Sequence, residues 1–415
     1  MSITSEIFQR YANYINPFKV DSLNSIKFDH LFNKAQGCYL YDEDDNAYLD
    51  LVAGFGSNTV GHYHPCLVQE LTESLILAKP NINPWGISPE AAMLAERLII
   101  MSRNKLNKVY FASSGSEAID SALKFSMAHT KRTSFVAVTN GFHGLTVAAT
   151  SLTSNDFWRD ALPSLPLDVD YINFNDLDTL EGCLMQKSVA AIVLEPIQGS
   201  SGAGAWDGEI LSELAFLAKK HGALLIVDEV MTGLGRTGSW FAYQSICADL
   251  IPDIIVTSKG LTGGLIPLSA VLMTDEVYDS MFRDAFGENH AATFSANNLA
   301  VTCGLSVLEI VEQEDLLKNA KECGNLLMEL LKKLVSESIP IGNINVTGLC
   351  ISFEIVEEER YQVNAADVCL NLLDKRILTA IAPHEPSYIR LTPPLNINID
   401  QINHFINSLK NCFHN

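Results

Sequence analysis

Basic residues are scarce in this chain: Lys and Arg number 28 against 49 Asp and Glu, a formal charge of -21. A surface of that sign repels the phosphates of nucleic acid and of anionic lipid, so neither is expected as a partner. The acidity is read as a solubility feature. Long apolar runs are missing as well. No stretch approaches the ~20 consecutive apolar residues of a spanning helix. The first twenty residues, with Glu6 and Arg10 among polar neighbours, read as neither a signal peptide nor an anchor. Paired cysteines are also lacking. The nine cysteines are scattered from Cys38 to Cys412 and read as free thiols in a reducing compartment, so a cytoplasmic location is expected. With no C-x-x-C and no H-E-x-x-H, no metal site is expected. His62 and His64 precede Pro65 without a third ligand nearby in sequence, and read as structural.

What the chain does have is alternation. Its 415 residues are 47% hydrophobic and 19% charged, which suits a cored enzyme of two or three domains. Apolar strands are expected at 108–112, 134–138, 170–174, 190–196, 223–230, 253–257 and 269–274. Helical stretches lie between most of them, including 116–129 and 209–221. That rhythm builds an α/β fold with a mostly parallel seven-stranded sheet covered on both faces. Before it, residues 1–35 read as mixed and partly helical. A hairpin then joins 37–41 to 47–50 across an acidic turn. After about residue 300 the rhythm changes to helices at 298–311, 314–336, 365–373 and 399–413, the last capped by Asn398 or Asp400, with strands at 344–346, 348–356 and 388–391. The expected division is 1–65 and 301–415 as the two parts of a smaller α+β domain, and 66–300 as the large domain.

The chemistry concentrates where two strands end. The strand at 223–230 stops at Asp228 and Glu229, and the strand at 253–257 runs into Ser258-Lys259-Gly260. Acid and amine therefore share the carboxyl edge of the sheet, where α/β enzymes place their sites. A lysine there can form an imine with an aldehyde, and a carboxylate can keep a pyridinium nitrogen protonated. Between them Gly233, Gly235 and Gly238 match a dinucleotide G-x-G-x-x-G, but the next strand ends in Lys259 rather than in a ribose-binding acid. A dinucleotide-dependent reductase is the competing reading. Ser114-Gly115-Ser116 ends one strand and opens a helix, whose N-terminus can hold a phosphate through Gly115 and Ser116 or can be an ordinary cap.

The run Asp-Glu-Val-Met-Thr-Gly-Leu-Gly-Arg-Thr-Gly from Asp228 to Gly238, with Pro252-Asp253-Ile254 and Ser258-Lys259-Gly260 after it, resembles the class III aminotransferases. These are fold type I enzymes dependent on pyridoxal 5′-phosphate (PLP), and include ornithine, acetylornithine, 4-aminobutyrate and ω-amine transaminases. The likeness runs from about Cys38 to Leu395. It implies that Lys259 carries the cofactor as an imine and that Asp228 pairs with its ring nitrogen. It places Ser114, Gly115 and Ser116 at the phosphate, Phe142 and Val230 on opposite ring faces, and His143, Glu195 and Met231 around the ring. Arg390 would grip a substrate carboxylate, with Phe55 and Trp85 as candidate walls. Thr293 would reach the cofactor phosphate of the neighbouring subunit, so a homodimer with shared sites is expected. The substrates implied are an amino donor and a carbonyl acceptor, and Lys259 would shuttle the proton between them.

The chain departs from the family pattern at several points. Met231 stands where many members have a glutamine that bonds the cofactor's phenolic oxygen. Ser200 stands where ornithine- and 4-aminobutyrate-type members carry a glutamate that shields the arginine. Ser295, Ala296 and Asn298 replace Gly, Gly and Pro in the loop after Thr293. Asp-Glu-Val-Met-Thr-Gly is also similar to the glutamate-semialdehyde aminomutase branch, so an aminomutase is an alternative. A protein that holds the cofactor without turnover is another.

Overall fold

The computed structural model describes residues 3–82, 85–103, 105–282, 289–358, 360–361 and 363–413. Three strands come first: β1 (Phe32–Gln36), β2 (Tyr39–Asp42) and β3 (Ala47–Asp50), paired antiparallel in that order. β1 falls at the end of the stretch that the sequence left as mixed and partly helical. Polar Asn33, Lys34 and Gln36 hide the strand, which forms because β2 offers it a free edge.

Seven strands then build the central sheet. They are β4 (Lys108–Ala112), β5 (Ser134–Val138), β6 (Asp168–Ile172), β7 (Val189–Leu194), β10 (Leu224–Asp228), β11 (Ile254–Thr257) and β12 (Ser269–Met273). A two-stranded ribbon, β8 (Ile197–Gln198) and β9 (Gly204–Ala205), lies between β7 and β10 in sequence. The spatial order is β4-β12-β11-β10-β7-β5-β6, and only β12 runs antiparallel to its neighbours. All seven expected strands are present, most with ends shifted by one or two residues.

Period-two alternation sends successive side chains of each strand to opposite faces. Val193, Ile226 and Val256 pack under the helix Gly115–Thr130, against Ile119, Leu123 and Phe125. Ile192, Leu225 and Ile255 face the other way, toward Leu211, Leu214 and Leu217 of the helix Gly208–His221. Both faces are covered, which is why these strands read as unbroken apolar runs.

The C-terminal part holds the antiparallel sheet β13-β14-β17-β16, from β13 (Ile341–Thr347), β14 (Cys350–Ile355), β16 (Ala380–Ala382) and β17 (Glu385–Leu391). A further short strand, β15 (Ile377–Leu378), joins β3 in parallel, so the two ends of the chain share one sheet. The expected continuous helix at 314–336 starts later, at Leu316, because Asp315 adopts a left-handed conformation and separates it from Asn298–Gln313. The last helix is Ile399–Lys410, followed by a 3-10 turn. Asn398 caps it, in a reciprocal box with Gln401.

Arg236, from the glycine-rich loop, ties these parts together. Its guanidinium donates to the carbonyls of Leu349, Pro393 and Gly56. Burial pushes its pKa down to about 10. The glycines of this loop serve packing: Gly235 abuts Leu395 and Leu317, and Gly238 abuts Lys321. His62 and His64 are each held by a carboxylate, Asp50 at 2.8 Å and Glu314 at 2.9 Å. No helix among the described residues is long and apolar enough to cross a membrane.

Two glycines allow opposite predictions. At Gly348, with φ +56°, a Cβ would stand 2.5 Å from the Thr237 carbonyl carbon, so Gly348→Ala should lower stability by about 2 kcal/mol or more. Gly182, inside the helix Leu177–Gln186, has nothing within 4 Å of the place a methyl group would take. Gly182→Ala should therefore stabilise by about 0.5–1 kcal/mol. Denaturant midpoints of both variants check the pair.

Candidate active site

Loops leaving β4, β5, β7, β10 and β11 meet around a cavity of about 170 Å³ at the sheet's carboxyl edge. β10 delivers Asp228. One of its oxygens accepts the Val230 N–H at 2.9 Å, and the other lies 2.8 Å from His143 Nδ1. Both side chains are buried. Burial opposes a charged imidazole, yet the hydrogen bond and charge of Asp228, with Glu195 behind it, hold His143 above its ordinary pKa. His143 Nε2 is buried without a protein partner. Glu229, next in sequence, points elsewhere. It accepts from Thr232 Oγ1 and from the Tyr243 N–H, and burial pushes it up to about 7. Neighbouring acids on one strand end thus divide between cavity and core, a split that the alternation of a strand imposes.

β11 delivers Lys259 through Ser258, whose hydroxyl is fixed on the Leu268 carbonyl at 2.9 Å. Lys259 has φ +23°, a strained backbone for a side chain of its size. Burial, and then the charge of Arg390, lower its pKa toward the neutral amine, against the opposing pull of Asp228 and Glu195. A neutral amine is the nucleophilic form. Glu195 closes β7 and accepts the Phe142 N–H at 2.9 Å. Burial raises its pKa to about 7.

β4 runs into the helix Gly115–Thr130. Ser114 is its cap, accepting the Glu117 N–H at 3.2 Å, while Glu117 accepts the Ser113 N–H at 2.8 Å. The Ser114 hydroxyl is therefore engaged in capping. Gly115 and Ser116 line the cavity, and a Cβ on Gly115 would come within 3.0 Å of Val230. Phe142 and Val230 both line the space. Met231 lines it too and lies against Gly199, where a methyl would collide with its thioether.

Arg390 is buried and has no carboxylate partner among the described residues; its guanidinium donates to the Gly199 carbonyl at 3.2 Å. The Phe55 ring lies 5.3 Å from it, in cation–π range. Ser200 lines the cavity on the same side and brings no charge. Of the expected residues, Ser114, Arg390 and Phe55 stand beside the cavity without lining it, and Trp85 and Thr293 of this one chain do not line it either. Trp85 is 97% exposed and is not among the lining residues. Thr293 is also exposed and outside the lining, while Ser295 beside it anchors on the Phe111 carbonyl. Two rim residues had no sequence signature at all: Trp158 and His384, which bond each other and sit beside Phe142. Trp158 closes the 3-10 turn Asp156–Trp158, and His384 sits in a hairpin turn.

The sequence profile of the class III aminotransferases matches residues 22–413. The acetylornithine aminotransferase of Archaeoglobus fulgidus is 32% identical over 381 residues, 92% of this chain and 95% of the relative. A transaminase from the marine bacterium Virgibacillus shares the fold at TM-score 0.90, with 24% identity over 99% of this chain and 98% of its own. An amine transaminase from an uncultivated Pseudomonas species, solved with PLP bound, matches at TM-score 0.82 and 28% identity, over 93% and 94% of the two chains.

The cavity's donor set fits that cofactor: an amine, a buried carboxylate, an aromatic and an aliphatic wall, and a helix N-terminus for the phosphate share one space. The chain belongs to the class III aminotransferases, which move an amino group between amino and oxo compounds with pyridoxal 5′-phosphate as cofactor.

Proposed function

We propose that this enzyme transfers the amino group of an α-amino acid whose carboxylate is gripped by Arg390. The observation that carries the reading is a buried guanidinium with no carboxylate of its own, beside a cavity that holds Lys259 and Asp228. A buried charge left unpaired costs several kcal/mol, and a bound carboxylate relieves that cost bidentately. The acetylornithine aminotransferase of Archaeoglobus fulgidus supports an amino-acid substrate through its likeness over nearly the whole chain. With Ser200 in place of an acid, nothing at that position masks Arg390 between the two halves of the reaction.

Bound pyridoxal phosphate supplies an electron sink that makes the α-hydrogen of an attached amino acid acidic. The residues do the rest. Gly115 and Ser116 would hold the phosphate with first-turn N–H groups and the positive end of the helix. Phe142 and Val230 would wall the ring. Asp228 keeps the ring nitrogen protonated, and His143 orients Asp228 through their 2.8 Å hydrogen bond. Glu195 fixes the Phe142 backbone. Lys259, held toward neutrality, takes the proton from the substrate α-carbon and returns it as a general base and acid. Met231 packs beside the ring without donating a hydrogen bond. Phe55 covers Arg390 and limits the space left for the substrate side chain.

The functional unit is a homodimer in this reading. Leu75, Ile76, Leu77, Ile82, Trp85 and Ile87 are all exposed, a concentration of large apolar side chains in one segment that suits an interface. Asn81 bonds the backbone of Asn298 and Leu299, so this segment and the loop carrying Thr293 and the exposed Phe294 form one surface. A two-fold axis there would bring Thr293 to the partner's phosphate and complete both sites at once. Trp85 belongs to that surface rather than to its own chain's cavity. The free cysteines suit a reducing compartment such as the cytoplasm.

The function is tested by Asp228→Asn. The variant should keep cofactor, seen by its visible absorbance, and lose amino-group exchange by at least ~100-fold, because a neutral amide cannot hold the ring nitrogen charged. Wild-type half-reaction rates would contradict the assignment. The dimer is tested by mixing a Lys259→Ala chain with a Thr293→Glu chain. One site of a mixed dimer inherits both defects and the other neither, so activity should return as chains exchange. A mixture that stays inactive while mixed dimers are present means that Thr293 serves its own subunit.

A further inference from the structure

The hairpin that carries Arg390 is fastened to the large sheet's loops at its far end as well. Between β16 and β17 its turn places His384 against two rim segments of the cavity. The His384 backbone N–H donates to the Ser200 carbonyl at 3.0 Å, and Arg390, six residues on, donates to the Gly199 carbonyl at 3.2 Å. Asn345 of β13 adds a bond to the Gly202 carbonyl at 2.8 Å. The His384 ring reaches a second segment: Nδ1 is 2.8 Å from the Asn140 carbonyl oxygen, and Trp158 Nε1 is 2.9 Å from His384 Nε2. The Trp158 ring in turn packs edge-on against Phe142, with centroids 5.3 Å apart.

The partners dictate the state of the imidazole. A backbone carbonyl can only accept, so Nδ1 carries a proton. An indole N–H can only donate, so Nε2 must offer a lone pair. His384 is therefore neutral, with its proton on Nδ1. Both bonds are used, and the ring is buried. Asn140 itself is held in a left-handed backbone conformation two residues before Phe142. One side chain thus connects the Arg390 hairpin to the segment that supplies the Phe142 wall.

We propose that His384 is a positioning residue, a latch that fixes Arg390 at a set distance from the Phe142 wall and so sets the grip on a substrate carboxylate. It rests on the reading of Arg390 as the carboxylate ligand. Neither His384 nor Trp158 is among the residues lining the cavity, so the latch acts through the hairpin that carries Arg390 rather than by contact with the cofactor's space.

The test uses the cofactor-loaded enzyme in its native assembly and the variants His384→Leu, His384→Asn, Trp158→Phe and Arg390→Ala. Hydrogen–deuterium exchange is read over residues 380–391. Half-reactions are run with L-glutamate and with benzylamine, an amine without a carboxylate. His384→Leu should speed exchange in the hairpin and raise the apparent KM for glutamate by about tenfold, the scale of one or two lost hydrogen bonds. Benzylamine should change by less than about twofold on the same scale, and cofactor affinity of the apo protein, from absorbance titration, should hold. His384→Asn, whose amide can still donate to Asn140, should recover most of the glutamate affinity. Trp158→Phe, which keeps the ring packing but not the N–H, should fall between. Unchanged hairpin exchange in His384→Leu overturns the latch. So does an equal loss for both donors while Arg390→Ala loses only glutamate. If Arg390→Ala also treats both donors alike while the hairpin loosens in His384→Leu, the carboxylate role of Arg390 has failed and the latch stands as a mechanical one.

Discussion

The hydrogen bond between His143 and Asp228, 2.8 Å long and buried on both sides, is the contact on which the rest of the cavity depends. A carboxylate without it would stand in a dry pocket with only the Val230 N–H for company, a costly state. With it, Asp228 has a fixed direction and a charge-assisted partner. Its negative charge then helps to set its neighbours. It holds His143 above its ordinary pKa, adds to the burial that raises Glu195, and opposes the burial that lowers Lys259. Three ionisable groups in one small volume are thus biased by this one carboxylate.

The parallel sheet makes that concentration possible. Apolar strands covered on both faces admit no charge along their length, so polar chemistry collects where they stop. β7 ends at Glu195, β10 at Asp228 and β11 at the turn to Lys259, all on one edge because all three run the same way. The substrate side of the cavity comes from elsewhere. Arg390 rides on the antiparallel C-terminal sheet, and Phe55 sits in an N-terminal turn that Arg236 ties to both. The residues proposed to hold the cofactor thus belong to the sheet, and the proposed carboxylate ligand, Arg390, to a part docked onto it.

That division also explains what the sequence discloses. Most of the seven central strands are legible because they are short apolar runs with β-branched residues, bounded by polar turns, whereas edge strand β6 alternates Asp168 and Asp170 with apolar residues. Asp228 and Lys259 are legible because a charge at the end of such a run has few structural uses. β1 is not legible, since Asn33, Lys34 and Gln36 mask its period and its pairing comes from β2. The break between the helices at 298–313 and 316–336 is legible to within two residues, because polar Glu312, Gln313, Glu314 and Asp315 interrupt the apolar pattern. Ser114 reads equally well as a phosphate ligand or a cap, and its side chain is occupied as a cap. The glycine-rich loop imitates a dinucleotide motif, yet its glycines answer to close packing against Leu317, Lys321 and Leu395. Trp158 and His384 are invisible in sequence because their significance lies in a contact between residues 226 positions apart.

The central claim is that the strand-end amine of β11 is where this enzyme holds its cofactor and moves its proton. Borohydride reduction of the cofactor-loaded enzyme, followed by proteolysis and mass mapping, tests it most directly. The reduced cofactor's mass should appear on the peptide containing Lys259 and on that lysine alone. The same mass on another lysine, or an unlabelled Lys259 in a fully loaded enzyme, would contradict it.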